Sequence, residues 1–319
     1  MLIKKGGKKM RKYALGVVLL IVVLLVSGQE GCQTGGETVG TGPYVGGNDG
    51  LSIVFLEDAP PASGNFQGES IPLEVELTNN GEKEIATGSA YIKLIGAITS
   101  NSFTTTKTTA TNTGAISAIR DASDVSDNDF VNLGTATLND AIGASWSPLI
   151  KAQLCYPYET NIQIDNLCVP GDNRETGTKE CEIDSAKNLV AKGDVSAAPV
   201  QVTSIVESRA SDGIRITMDI ENQGNGYVLD PSKTCDSVTG VVDREDYVVV
   251  VNIPGDVWTC NYKDAAAKTV ELRDNSGRLR CSKSIGGTGR AYNDRFVATL
   301  SYKYVDTVSK SIVIETNSN

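Results

Sequence analysis

The chain has no histidine, and aromatic residues make up only 6% of its 319 residues. Without histidine there is no Ser-His or Cys-His nucleophile pair and no His-Glu-x-x-His zinc site. The sequence also lacks a Gly-x-Ser-x-Gly motif, the turn that presents the serine in many hydrolases. We therefore expect a protein that is not an enzyme and that has no cofactor. A hydrolase with two catalytic carboxylates remains the alternative, because acidic residues are abundant.

Basic residues are scarce after position 28, which argues against nucleic acid as a partner. The chain has 29 basic and 39 acidic residues, and six of the basic ones lie in the first 28 positions, where there is no acidic residue. The remaining 23 basic and 39 acidic residues give the body a net charge of −16. Nucleic-acid binding needs clustered Lys and Arg against phosphate. The sequence predicts no nucleic-acid partner.

One long hydrophobic run lies near the N-terminus, directly behind a basic flank. The run covers the fifteen residues 13–27 and follows residues 8–12, which contain four basic side chains. A helix of that length extends for roughly 22 Å, which is short of a full bilayer span and also matches a signal-peptide core. The basic flank is expected to stay in the cytoplasm. Residues 1–28 are therefore predicted to be a signal or anchor helix, with the rest of the chain outside the membrane.

Cys32 lies near the start of a linker at residues 29–50, after the hydrophobic run and before the glycine-rich stretch 33–50. This is the position of the lipidated cysteine in a lipoprotein. Of the residues directly before it, only Gly31 fits the usual lipidation pattern. Three outcomes stay open: an uncleaved transmembrane anchor, a lipid on Cys32, or cleavage near Ser27 with release from the cell. In the first two, the membrane is a partner of the chain through its helix or lipid.

Six further cysteines lie in the acidic body. An even number of cysteines in an exported chain predicts up to three disulfides, and the absence of histidine and of Cys-x-x-Cys argues against structural zinc. The favoured pairs are Cys260 with Cys281 on neighbouring predicted strands, Cys168 with Cys181 around a short loop, and, by elimination, Cys155 with Cys235.

A strand pattern occurs twice at a constant spacing of 143 residues. Apolar residues alternate strictly from Ile71 to Leu77 and the segment ends in Asn-x-Gly at position 81; the same pattern runs from Ile214 to Gly224. Strict alternation predicts a half-buried strand, and Asn and Gly tolerate the backbone of a turn. A repeated domain is therefore expected. Two hairpins are also predicted, one joining residues 149–156 to 162–168 and one joining residues 296–304 to 311–315.

This strand and its Asn-x-Gly end resemble the Ig-like CARDB modules of prokaryotic surface proteins. The order of anchor, glycine-rich linker, repeated segment and paired cysteines is similar to that of uncharacterised membrane-anchored surface proteins of archaea. The resemblance implies an all-β fold of two Ig-like β-sandwich modules in tandem. We place the first module at residues 51–182, a junction at 183–198 and the second module at 199–319.

Two segments invite a more specific interpretation. An acidic loop gathers oxygen ligands of the kind that calcium prefers, although its spacing is not that of an EF-hand; its members are Asp121, Asp124, Asp127 and Asp129. Residues 103–114 are rich in threonine and predict either an O-glycosylated surface loop or a flexible insertion.

These observations favour a cell-surface structural or adhesion protein that displays disulfide-bonded modules outside the membrane. The alternative is a subunit that binds a solute or a component of an envelope assembly. The residues do not identify the protein or envelope component that it contacts.

Overall fold

The apolar alternation of the sequence produces a chain built from β-strands. The structure is a computed structural model that describes residues 42–171, 181–238, 247–255, 257–285 and 290–316. Within them the regular structure consists of strands and two short 3-10 helices, so the predicted all-β class is confirmed. The strands are β1 (Leu51–Phe55), β2 (Asn65–Phe66), β3 (Ser70–Asn79), β4 (Tyr91–Gly96), β5 (Phe103–Thr105), β6 (Thr109–Thr111), β7 (Asp127–Leu138), β8 (Leu149–Val169), β9 (Val200–Arg209), β10 (Gly213–Asn222), β11 (Tyr227–Leu229), β12 (Val248–Asn252), β13 (Trp258–Cys260), β14 (Thr269–Glu271), β15 (Ser276–Ser284), β16 (Tyr292–Ser311) and β17 (Ile314–Glu315).

The predicted signal or anchor helix at residues 1–28 lies outside the described residues, and so does Cys32. In the part of the chain that is described, no helix combines the length and the apolar character needed to cross a membrane.

The strands form three main sheets whose order repeats between the two halves of the chain. One outer sheet has the order β1-β3-β7-β5, and the other has the order β9-β10-β15-β13. A shared sheet has the order β6-β4-β8-β16-β12-β14, with β11 beside β16. The strands β1, β3, β7 and β5 of the first outer sheet correspond to β9, β10, β15 and β13 of the second. In the shared sheet, the order β6-β4-β8 from one edge corresponds to the order β14-β12-β16 from the other edge. The 143-residue sequence repeat is therefore also a repeat of topology, related by a pseudo-twofold axis between β8 and β16.

Each half divides its seven main strands into four and three, as a constant-type immunoglobulin sandwich does, but the strand order differs. In the immunoglobulin order the second strand lies beside the fifth. Here β3, the second main strand of its half, pairs with β7, the sixth. The second half repeats this arrangement, since β10 pairs with β15.

The halves meet in a long antiparallel pair. β8 and β16 run side by side from Val169 opposite Tyr292 to Leu149 opposite Ser311. This pairing joins the two sides of the junction predicted at residues 183–198 in one sheet, and the described residues between 42 and 316 belong to one compact unit. The two predicted modules are thus joined by a common sheet and do not stand as separate sandwiches.

The two predicted hairpins were wrong. Residues 149–156 and 162–168 are parts of one strand, β8. Residues 296–304 lie within β16, which continues to Ser311, and the following β17 pairs with β2 and not with β16. Phe296, Ala298, Leu300 and Tyr302 alternate along β16 and share one face, and all four are buried.

Residues 103–114 are also more regular than a flexible insertion. They contain β5, at the edge of the first outer sheet, and β6, at the edge of the shared sheet. Their threonines are mostly exposed, which is usual for β-branched polar residues on edge strands.

One continuous hydrophobic cluster contains residues of all three main sheets. The end of the chain closes back on the first half, because β17 pairs in parallel with β2 and Ile314 bridges to Trp146.

Candidate functional site

Four tyrosines occupy the centre of the molecule, where β8 and β16 pair. Tyr156 lies opposite Tyr304, and Tyr158 lies opposite Tyr302. Their ring centroids are 5.6 to 6.5 Å apart, and all four side chains are buried. Such separations are typical of packed aromatic rings. A pocket between the halves would have suited the solute-binding alternative, but these rings fill that position.

The hydroxyls of these tyrosines hold the repeated Asn-x-Gly turns. The Tyr304 hydroxyl donates to Asn222 Oδ1 at 3.1 Å and accepts from the Gly226 amide at 2.8 Å. In the first half the Tyr158 hydroxyl accepts from the Lys83 amide at 3.4 Å. Burial raises the pKa of Tyr304 to about 12 and raises the pKa of Tyr158 further. The hydroxyls therefore stay protonated and act as structural hydrogen-bonding groups.

A second pair of hydroxyl contacts fixes the first strand of each half. The Tyr302 hydroxyl accepts from the Val200 amide at 3.3 Å and lies 3.0 Å from Thr160 Oγ1. Burial raises the pKa of Tyr156, and the backbone of Leu51, in the equivalent position, opposes that shift. Val200 and Leu51 begin β9 and β1, so the pseudo-twofold extends to the surroundings of individual tyrosines.

The asparagine side chains of the two turns bond the turn backbone. Asn79 Nδ2 donates to the Lys83 carbonyl at 2.8 Å and to the Ser117 carbonyl at 3.0 Å, and Asn222 Nδ2 donates to the Gly226 carbonyl at 2.8 Å. The glycines have a different reason from the one expected, since neither Gly81 nor Gly224 has a positive φ. A Cβ at Gly81 would collide with the Tyr158 hydroxyl, and a Cβ at Gly224 would collide with that of Tyr304.

Three disulfides join the cysteines in the same pairs that were named from the sequence. Their Cα–Cα separations are 5.6 Å for Cys155 with Cys235, 5.7 Å for Cys168 with Cys181 and 4.0 Å for Cys260 with Cys281. Cys155 lies on β8 of the first half, and Cys235 begins a short 3-10 helix of the second half (Cys235–Ser237). That bond therefore crosses the boundary between the halves. The lipidation candidate, Cys32, lies outside the described residues.

The acidic loop does not assemble the calcium site considered for it. Among the residues that the structure describes, no group of three or more acidic, cysteine or histidine side chains is placed to hold a metal ion. Each carboxylate accepts backbone amides instead. Asp121 and Asp124 cap the turn around them, whereas Asp127 and Asp129 also reach amides 10 to 16 residues away. The acceptors and their donors are Asp121 with Ser123, Asp124 with Arg120 and Asp121, Asp127 with Ser117 and Asn128, and Asp129 with Thr113 and Gly114.

No family model matches this chain. No curated protein matches it either. The chemistry of the described residues is therefore the basis for any functional assignment.

A carboxylate hydrolase would need two carboxyl groups in one cleft, and one carboxylate is buried within the described ranges. Glu207 on β9 is 2% exposed, and its Oε2 accepts the Cys168 amide at 2.8 Å. Burial raises the pKa of this carboxyl group. The group stabilises a strand and has no second buried acid beside it in those ranges.

Two surface features offer contact sites that the sequence did not reveal. Val54, Glu76 and Phe130 form one cross-strand row on β1, β3 and β7, with Val54 and Phe130 about half exposed. An open cleft of about 210 Å³ beside β13 is lined by Trp258, Phe296 and six other residues. The row depends on the register between three strands, and the cleft depends on packing between sheets. The order of residues along the chain therefore predicts neither feature.

Proposed function

We propose that this chain is a non-enzymatic structural or adhesion protein of the cell surface, held outside the membrane by its N-terminal segment. The observation that supports this best is the set of three disulfides in an all-β body, because such bonds persist in oxidising, extracellular environments. The hydrophobic run at residues 13–27 and its basic flank support export in the same direction.

The two halves are proposed to be a duplicated Ig-like module related to the CARDB-like modules of archaeal surface proteins. The repeated Asn-x-Gly strands and the matched strand order support a duplication. Disulfides and a common sheet suit a body that must stay folded outside the cell, where chaperones are absent and proteases are present.

A binding subunit of an envelope assembly is the second proposal. The exposed row of Val54, Glu76 and Phe130 favours it, because apolar side chains flanking a carboxylate offer a contact surface for a protein. The filled centre of the molecule supports a surface contact over an enclosed small-molecule site.

Surface labelling tests the location. Intact cells that produce the chain are treated with a membrane-impermeant amine reagent, and the chain is then recovered and mapped by mass spectrometry without reduction. We expect labelled lysines in residues 42–316 together with the three disulfide-linked peptide pairs. A chain that is labelled only after lysis, or that carries free thiols at these positions, would contradict the proposal.

Adhesion is tested separately with the purified body. Native protein on a surface is expected to retain cells of the producing strain, whereas the same protein after reduction and alkylation is expected to lose that retention. Equal retention by the two preparations would count against a folded adhesive surface.

A further inference from the structure

The first strand of each half lies at an edge of its outer sheet, but the two edges differ in what covers them. β1 pairs with β3, and β9 pairs with β10. Phe55 lies opposite Val75, and Ile205 lies opposite Met218, which is 143 residues after Val75. Phe55 and Ile205 are therefore equivalent positions on two equivalent edges.

The edge of β9 is covered by residues that precede it in the chain. Ile205 donates to Asn188 Oδ1 at 3.0 Å, and its carbonyl accepts the Leu189 amide at 2.8 Å. Asn188 Nδ2 donates to the Thr203 carbonyl at 3.0 Å. Leu189 and the following Val190 pack against the core. An asparagine followed by two aliphatic residues thus acts as a short additional strand, and Ile205 is fully buried beneath it.

The edge of β1 has no such cover among the described residues. The bonds Leu56 N to Glu74 O and Asn80 N to Gly50 O set the pairing with β3, so the backbone groups of Ile53 and Phe55 point away from that strand. Phe55 is partly exposed, unlike Ile205.

The open part of this edge has defined ends. At one end the backbone of Leu51 lies beside Tyr156. At the other end the carbonyl of Leu56 accepts Lys310 Nζ at 2.6 Å. Between them lie the edge groups of Ile53 and Phe55. An unpaired strand edge is a template for another extended segment.

The chain's own tether does not carry the residues that cover β9. The stretch at residues 33–41 is Gln-Thr-Gly-Gly-Glu-Thr-Val-Gly-Thr and contains neither asparagine nor leucine. We propose that the edge of β1 at Ile53–Phe55 binds an extended segment of another polypeptide, in which an asparagine is followed by aliphatic residues. This inference deepens the proposed surface function and rests on it, since it gives the chemistry of the partner.

The test uses the full chain and a peptide with the sequence of residues 184–191, Asp-Ser-Ala-Lys-Asn-Leu-Val-Ala. We expect saturable binding with one peptide per chain. The Phe55 amide should then donate to the peptide asparagine, and its hydrogen exchange should slow by about tenfold. Exchange at Ile205 is expected to stay unchanged, because its cover remains in place.

Two altered peptides supply matched controls that leave the protein untouched. N-methylation of the leucine removes the donor that Leu189 provides to Ile205, and Asn-to-Asp removes the Nδ2 donor. Each is expected to weaken binding by about tenfold or more. The proposal is overturned if the Phe55 amide is already protected without peptide, if no saturable binding occurs, or if the N-methylated peptide binds equally well. Because this assay involves no cells, its failure is distinguishable from failure of the surface-labelling experiment.

Discussion

Single contacts at the centre of the molecule explain why particular residue types recur in the repeat. Positions 81 and 224 need glycine because a tyrosine hydroxyl lies where a Cβ would be. The hydroxyl belongs to Tyr158 on β8 at position 81 and to Tyr304 on β16 at position 224. Both contacts join residues that are about 80 positions apart in the chain. A glycine that seems to serve a turn is therefore required by packing between strands.

We predict that Gly224→Ala destabilises the protein by about 2–3 kcal/mol, because the new methyl overpacks against Tyr304 and Pro199. Removing the hydroxyl with Tyr304→Phe should relieve part of the clash, so the two changes together should cost less than their sum. Gly114→Ala is the control, since a Cβ there meets nothing within 4 Å. Chemical denaturation of the unaltered chain and of the four variants measures these effects, and strict additivity of Gly224→Ala and Tyr304→Phe would contradict the assignment.

Glu207 predicts a specific pH dependence. Burial raises its pKa above the ordinary 4.5, so in the interval between 4.5 and the raised value the folded chain binds more protons than the unfolded chain. Stability should therefore fall as pH rises through that interval. Glu207→Gln can still accept the Cys168 amide and should flatten this part of the profile. Denaturation at several pH values measures it, with the exposed Glu69→Gln as control; an unchanged slope in Glu207→Gln would refute the prediction.

At the scale of elements, the disulfide between the halves, Cys155 with Cys235, should contribute most of the three to the free energy of unfolding. Cys155 and Cys235 are 80 residues apart, whereas the other pairs are 13 and 21 residues apart. Loop-closure entropy assigns about 4 kcal/mol to the long loop and about 3 kcal/mol to each short one. Paired substitution of both cysteines by alanine, followed by denaturation, tests this order. A smaller loss for Cys155 and Cys235 than for the other pairs would contradict it.

The alternation of apolar and polar residues predicted the strands in which buried and exposed side chains alternate. β3 and β10 alternate strictly and were found from the sequence, but the length of β8 was not, because Glu159, Thr160 and Asn161 interrupt its apolar pattern. In the structure Glu159 pairs with Lys83 at 2.6 Å, and Thr160 donates to the Val200 carbonyl at 2.6 Å. These polar residues are satisfied by partners far away in the chain, which no local periodicity reveals.

The candidate sites likewise include some that the sequence predicted and others that it did not. Neighbouring strands and a short loop sufficed to name two of the cysteine pairs that the structure contains, and elimination named the third. Acidic density did not suffice for a calcium site, since each aspartate of the loop bonds backbone amides and the four do not converge on one point. The free edge of β1 becomes visible only by comparing equivalent strands of the two halves.

At the scale of the whole molecule, the shared sheet makes each half depend on the other. β8 has β4 on one side and β16 on the other, and β16 has β8 and β12. Removing either half would expose a long edge together with the tyrosines packed along it. Because β8 and β16 are equivalent strands of the two halves, an isolated first half would carry a strand similar to the β16 that it lacks.

We therefore predict that the full body unfolds in a single transition and that a chain of residues 42–198 alone forms no stable monomer. Its exposed β8 edge should drive self-association, since a second β8 would lie where β16 does. Adding a separate chain of residues 199–319 should convert these assemblies into a one-to-one complex, because only the natural pair restores the contacts of Tyr158 with Tyr302 and of Tyr156 with Tyr304. Calorimetry and sedimentation measure both outcomes. Two separate transitions in the full chain, or a stable monomeric half, would show instead that each half holds its own core.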